Sequence, residues 1–147
     1  MNNIDKALQC FQNGYNCSQA IFSTYSEQLG LPQELALKIS CPFGAGMGRT
    51  AETCGAVTGA YLLIGLKHGK YLPEDTVSKE NSYALVNEFN RRFLEQHGSL
   101  LCKELLHNDM TKPEELAYIQ EHALWDTVCP HFISTSADIV EELLELK

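Results

Sequence analysis

The stretch Cys54-Gly-Ala-Val-Thr-Gly-Ala-Tyr-Leu-Leu-Ile-Gly-Leu66 decides the fold. It is apolar all round, so a helix made from it has to be covered on every side, in a core or at a subunit interface. Lys67, His68 and Lys70 end it too soon for a bilayer span. Gly55 and Gly59 fall on one helical face. Each interior glycine costs about 1 kcal/mol relative to alanine, so the pair calls for close approach of another backbone or of a bulky cofactor. The expectation is a central, glycine-containing helix, partly covered by a second copy of the chain.

Outward from this segment the periodicity is helical almost throughout. Upstream, Ile4, Ala7, Leu8 and Phe11 recur at helical steps until Asn13-Gly14. Asn16 can cap a second helix that carries Cys17, Ala20, Ile21 and Tyr25 and closes at Gly30. Pro32 opens a third, with Leu35, Ala36 and Ile39 on its inner face. Pro42 to Gly48 is too glycine-rich to continue a helix, and Thr50 or Thr53 then caps the apolar segment, which Gly69 ends.

Downstream, Thr76 to His97 reads as a long amphipathic helix with Tyr83, Val86, Phe89, Asn90 and Phe93 along one stripe. Ser99 restarts a short helix through Leu106, and Thr111-Lys-Pro-Glu114 reads as a capping box. A last amphipathic helix runs from Ser136 to Lys147. There is no alternating strand pattern, internal repeat or long polar linker. The fold expected is all-α, one domain over residues 1–147, a bundle of about six to eight helices.

The chain has 147 residues, six cysteines and a net charge of -8. One compact core is expected at this length. The acidic balance speaks against nucleic acid or an anionic membrane as partner, and no apolar run is long enough for membrane insertion. Met1-Asn2-Asn3-Ile4-Asp5-Lys6 lacks the pattern of a secretory signal, so the expected location is cytoplasmic. Thiols stay reduced there, and clustered cysteines more often serve metal or redox chemistry.

Cys17 follows the Asn16 cap, Cys102 lies three residues after Ser99, and Cys54 follows the glycine loop. Free N–H groups and the positive end of a helix favour a thiolate, so lowered cysteine pKa values are expected at these three. Cys129, before Pro130-His131, has the signature of a helix end or loop. Cys10 reads as packing beside Phe11, and Cys41 stays ambiguous before Pro42. No Cys-x-x-Cys pair exists, so neither a thioredoxin-type centre nor a zinc ribbon is supported. Cys-x-x-Cys-His is absent as well.

Gly44-Ala-Gly-Met-Gly48 has no strand before it and no Walker lysine, which disfavours a nucleotide loop. The plain reading of Gly44, Gly46 and Gly48 is a tight backbone turn. The sharper one is a nest of N–H groups around a sulfur anion or an anionic cluster at Cys54, with Arg49 adding charge. With Gly55 and Gly59 these are the candidate cofactor-binding positions.

Asn16-Cys-Ser-Gln-Ala20, Phe43-Gly-Ala-Gly-Met-Gly48 and Glu52-Thr-Cys-Gly-Ala-Val-Thr-Gly59, with Ile64-Gly-Leu66 and Gly69, resemble the C-GCAxxG-C-C family of redox-active proteins. The family name writes Gly-Cys-Ala where this chain has Cys54-Gly55-Ala56. Cys102 and Cys129 look like its third and fourth cysteines, and the similarity runs from about Gly14 to Leu144. Membership implies redox activity, with an iron–sulfur cluster among the options. It also implies kinship with a split-Soret type of cytochrome, whose haem attachment motif is missing here.

Three forms of a redox centre at Cys17, Cys54, Cys102 and Cys129 follow. The four thiolates bind an iron–sulfur cluster, or cycle as dithiol–disulfide pairs with no cofactor, or hold a redox-silent zinc, which ranks behind the other two. The redox partner is unknown. The rival reading is a non-enzymatic helical module that forms a homodimer along the glycine helix, its cysteines being packing. A cysteine hydrolase would need a base, for which His131 beside Cys129 is the nearest in sequence. Glu74-Asp75, Glu114-Glu115 and Glu141-Glu142 read as helix caps or solvated faces.

Overall fold

A computed structural model describes all residues from Met1 to Lys147. The elements are α1 (Asn3–Gln12), α2 (Cys17–Ser26), α3 (Gln33–Ser40), a left-handed turn counted as α4 (Gly44–Met47), α5 (Gly55–His68), α6 (Thr76–His97), α7 (Cys102–Leu105), α8 (Pro113–Glu121), α9 (Leu124–Thr127) and α10 (Cys129–Leu143). The class is all-α. The only strand-like feature is one antiparallel bridge between Thr53 and Leu101.

Helix α5 is central, as its all-round apolarity requires. Eight of its residues, from Gly55 to Ala60 together with Leu63 and Ile64, are buried. The glycine pair is explained inside one chain. A Cβ on Gly55 would stand 2.9 Å from the Ser18 amide nitrogen, and one on Gly59 would stand 2.9 Å from the Ser18 carbonyl oxygen. The glycines therefore let α2 lie directly on α5, and no second subunit is needed to account for them. Helix α10 joins the pair, its Ser136 hydroxyl donating to the Ala56 carbonyl at 2.7 Å. Helix α6 closes the far side through Phe89 and Phe93, both fully buried.

Several boundaries differ from the sequence reading. Helix α5 is capped by Cys54, not by a threonine. The Thr50 hydroxyl instead donates back to the carbonyls of Gly46 and Met47 at 2.6 and 2.9 Å. Leu35 and Ile39 are 47% and 44% exposed, and Ala36 with Ser40 forms the inner face of α3. The Thr111 capping box is absent: both Thr111 donors turn back to Asp109 Oδ1, and Lys112 is the cap of α8. The last helix begins not at Ser136 but at Cys129. Pro130 caused that difference. It sits in the first turn, where a proline's missing N–H has no intrahelical partner to lose.

Candidate functional site

The four cysteines singled out by sequence line one cavity of about 300 Å³. Each stands at a helix start. Cys17 is the first residue of α2, Cys102 of α7 and Cys129 of α10, while Cys54 is the N-cap of α5. Four helix starts thus border the same space, and at one of them the Ala56 and Val57 amides lie near the Cys54 sulfur. Cys129 was expected at a helix end or loop and is corrected here to a helix start.

Local sequence fixes each thiol. Asn16 and Gln19 make a reciprocal capping box at the head of α2: the Gln19 amide donates to Asn16 Oδ1 at 2.9 Å and the Asn16 amide to Gln19 Oε1 at 3.0 Å. Asn16 Nδ2 also reaches the Cys41 carbonyl at 2.9 Å, so Cys17 is tied to the end of α3. Gly44 leaves room for this cap, since a Cβ there would stand 2.2 Å from Asn16 Cγ.

Cys54 and Cys102 are held as a pair. The Cys54 amide donates to the Leu100 carbonyl at 2.8 Å and the Cys102 amide to the Glu52 carbonyl at 2.6 Å, one bond on each side of the Thr53–Leu101 bridge. These bonds set the starts of α5 and α7 side by side across about fifty residues of sequence.

The cavity has a base and a rim. At its base the thiols are nearly sealed, with exposures of 9% for Cys17, 4% for Cys54, 8% for Cys102 and 6% for Cys129. Phe132, Leu105 and Leu106 close the base, Phe11 and Trp125 are half-buried walls, and Tyr15 and Arg49 are exposed at the rim. The turn that carries Arg49 is left-handed for most of its length, with φ of 54° at Ala45, 66° at Gly46, 70° at Met47, 69° at Gly48, 68° at Arg49 and 60° at Ala51. Non-glycine residues in this region carry strain, and such strain concentrates at functional sites. Gly46 and Gly55 line the cavity, whereas Gly44, Gly48 and Gly59 lie outside the lining.

Burial opposes the helix ends and wins. The Cys54 thiol is pushed up to about 12, first by burial, although the Ala56 and Val57 amides near its sulfur pull the other way. Burial also pushes Cys102 up to about 12, with the Cys54 and Cys129 sulfurs adding to it. Cys17 is raised well above its ordinary value, chiefly because its thiol donates a hydrogen bond to Cys129, then by burial and the other sulfurs. The lowered values expected from helix starts are not found. Full burial moves a pKa by about 3–5 units, whereas a helix end contributes about 0.3–1 kcal/mol, less than one unit.

Cys17, Cys54 and Cys102 are therefore neutral thiols at physiological pH, which makes them slow nucleophiles. A metal has to displace the proton of each thiol, so ligation here releases protons and is favoured as pH rises. No three of the His, Cys, Asp and Glu side chains are grouped closely enough to hold a metal ion as they stand. The four thiols share one space of about 300 Å³, and four cysteines are the donor set that an iron–sulfur cluster takes.

All six cysteines are free. Cys10 is half-buried beside Ser23, and Cys41 is exposed; neither lines the cavity. No histidine lines it either, so a cysteine hydrolase has no base at hand. His97 Nε2 instead shares a hydrogen bond with Thr135 Oγ1 at 2.9 Å. Trp125, Tyr15 and Phe132 were missed by sequence reasoning, because lone aromatics scattered along a chain give no signal of convergence.

A small all-α protein with four convergent cysteines is thus the class that fold and cavity define. Residues 15–143 match the family model described as "Putative redox-active protein (C_GCAxxG_C_C)", and the chain belongs to that family. No curated protein and no solved structure matches the chain.

Proposed function

We propose that this is an electron-transfer protein whose centre is an iron–sulfur cluster held by Cys17, Cys54, Cys102 and Cys129. The observation that carries the reading is the meeting of these four thiols, each at a helix start, around one nearly sealed cavity. A cluster there would supply a one-electron couple. The chain's own contribution is the rest: the thiols give up their protons as ligands, the Ala56 and Val57 amides support the Cys54 thiolate, and Phe132, Leu105 and Leu106 keep water from the base. Family membership supports redox activity in general and leaves the carrier to experiment.

The test is the absorbance spectrum and the iron, sulfide and zinc content of anaerobically purified protein. Visible absorbance that bleaches on reduction, with iron and sulfide present, is expected. Cys54→Ser should lose most of that iron, while Cys41→Ser, outside the cavity, should keep it. Colourless protein free of iron after anaerobic purification and reconstitution ends the proposal.

One observation favours a second reading. Cys129 is the largest single influence on the Cys17 thiol, which makes these two sulfurs the nearest candidates for a dithiol. In that case the two thiols form one S–S bond and pass two electrons and two protons to a small disulfide, which leaves as two thiols. Treating iron-free protein with such a disulfide and mapping the product would then show a Cys17–Cys129 linkage, and random pairing among the six cysteines would exclude it.

A further inference from the structure

We propose that the rim of the thiol cavity is a recognition site for a small molecule that carries one anionic group on an apolar or aromatic body, and that Arg49 holds its charge. Arg49 is the only charged side chain among those that line the cavity. It makes no ion pair, although the two other arginines, Arg91 and Arg92, are both paired with Glu88. Glu52, its nearest acid in sequence, is engaged by Lys103 at 3.8 Å. A chain of net charge -8 thus places one uncompensated guanidinium over its buried thiols.

The backbone that carries it is fixed there. Its φ of 68° is maintained by a turn in which Thr50 donates to two carbonyls, and the Glu52 amide closes onto the Gly46 carbonyl at 2.9 Å. Tyr15 shares the rim with it, and Phe11 and Trp125 form the walls.

The ligand class follows from these parts. A guanidinium presents a fork of N–H donors that matches a carboxylate or phosphate. The aromatic walls accept a ring or an aliphatic body in contact with them. Three aromatic side chains border the opening, which suits a body of single-ring size. The rim would hold such a molecule directly above the thiols, which is where an electron donor or acceptor has to stand. Its role as electron partner rests on the redox reading above; its binding does not.

The chain has one tryptophan, and that residue is Trp125 in the cavity wall, so its fluorescence reports on this site alone. Full-length protein is titrated with benzoate and, separately, with neutral benzamide of the same shape. A saturable change with benzoate is expected, with benzamide at least about tenfold weaker, as loss of a charge-assisted hydrogen-bonded contact requires. Arg49→Gln should weaken benzoate by a similar factor and leave benzamide unchanged, and Arg49→Lys should keep part of the preference.

Equal responses to the two probes overturn the proposal, as does Arg49→Gln binding benzoate like the wild type. Should Arg49→Gln fail to fold, the benzoate-to-benzamide ratio of the wild type still decides. Metal content and spectrum are read separately. Charge discrimination in a protein with neither metal nor redox-active thiols defeats the function reading alone, and a metal-loaded protein blind to charge defeats this one alone.

Discussion

Helices α5 and α6 lie side by side and are built on opposite terms. Helix α5 has 14 residues, eight of them buried, and no ion pair. Helix α6 has 22 residues with only Phe89 and Phe93 buried, and its outer face carries Glu88, Arg91, Arg92 and Glu95 in a chain of pairs. In α5 the constraint by neighbours runs unbroken from Gly55 to Ala60, and the helix start delivers Cys54 and Gly55 to the cavity. In α6 the constraint is concentrated in two rings. Length is therefore a poor guide to importance here: the shorter helix holds the site, and the longer one supports it through a narrow contact.

That contact is the place to break α6. Phe93 stacks on Phe89 at 5.9 Å and leans on Phe132 at 6.4 Å, and Phe132 is a wall of the cavity. Phe93→Ala should cost about 3–5 kcal/mol, measured by denaturant unfolding. Tyr83→Ala, ten residues earlier on the same helix and 57% exposed, should stay within about 0.5 kcal/mol. Comparable losses at both would mean that the stability of α6 is spread along its length.

The next effect belongs to the head of α5. Cys54 and Cys102 keep their protons up to about 12, whereas an unburied thiol releases its proton near 9.0. Below pH 9 folded and unfolded chains are equally protonated there. From 9 towards 12 the unfolded chain loses protons that the folded chain retains, so stability falls as pH rises through that window. Each such thiol adds a slope of about 1.4 kcal/mol per pH unit, which metal-free Cys54→Ala protein should lack. Equal alkaline slopes in the two proteins would show that the buried thiol is not what titrates.

How much of this was legible without coordinates follows the same division. Helix α6 was readable from Thr76 to His97, because its pattern is local and Gly98 stops it. The Asn16 cap of α2 was legible for the same reason. At the cavity, the four cysteines could be named, but two kinds of physics hid their setting. The Thr53–Leu101 bridge joins segments far apart in sequence, and no local pattern announces a single bridge. Desolvation depends on the whole fold, so helix starts suggested lowered thiol values where burial raises them. The left-handed run around Arg49 was also hidden, since Ala45, Met47, Arg49 and Ala51 are residues that rarely adopt it.

The glycines of α5 sharpen the comparison on a smaller scale. Gly59→Ala puts a Cβ 2.9 Å from the Ser18 carbonyl oxygen and 3.0 Å from Ile21 Cβ, where a backbone cannot give way cheaply. A loss of about 1–3 kcal/mol is expected. Gly65, on the same helix, has nothing within 4 Å of such a Cβ, so Gly65→Ala should gain about 1 kcal/mol from helix propensity. Opposite signs from one chemical change in one helix would establish that α2, and not α5 itself, demands Gly59. If both variants were destabilised alike, a surface over Gly65, such as a second subunit, would have to be sought.

The smallest effect is expected at the most conspicuous charges. Arg91, with Arg92 beside it, holds the Glu88 carboxyl down to about 2. A lowered carboxylate value stabilises the fold above the unfolded carboxyl range and loses that contribution as pH falls towards 2. Arg91 is 61% and Glu88 31% exposed, so water and salt reach this pair and screen it until little net stability remains. Arg91→Gln should therefore leave the unfolding midpoint unchanged at neutral pH and moderate salt. A drop appearing only at low ionic strength would still agree, because screening is what removes the effect. A drop that persists in high salt would mean that the outer face of α6 is held by more than these exposed pairs, and the contrast with α5 would have to be redrawn.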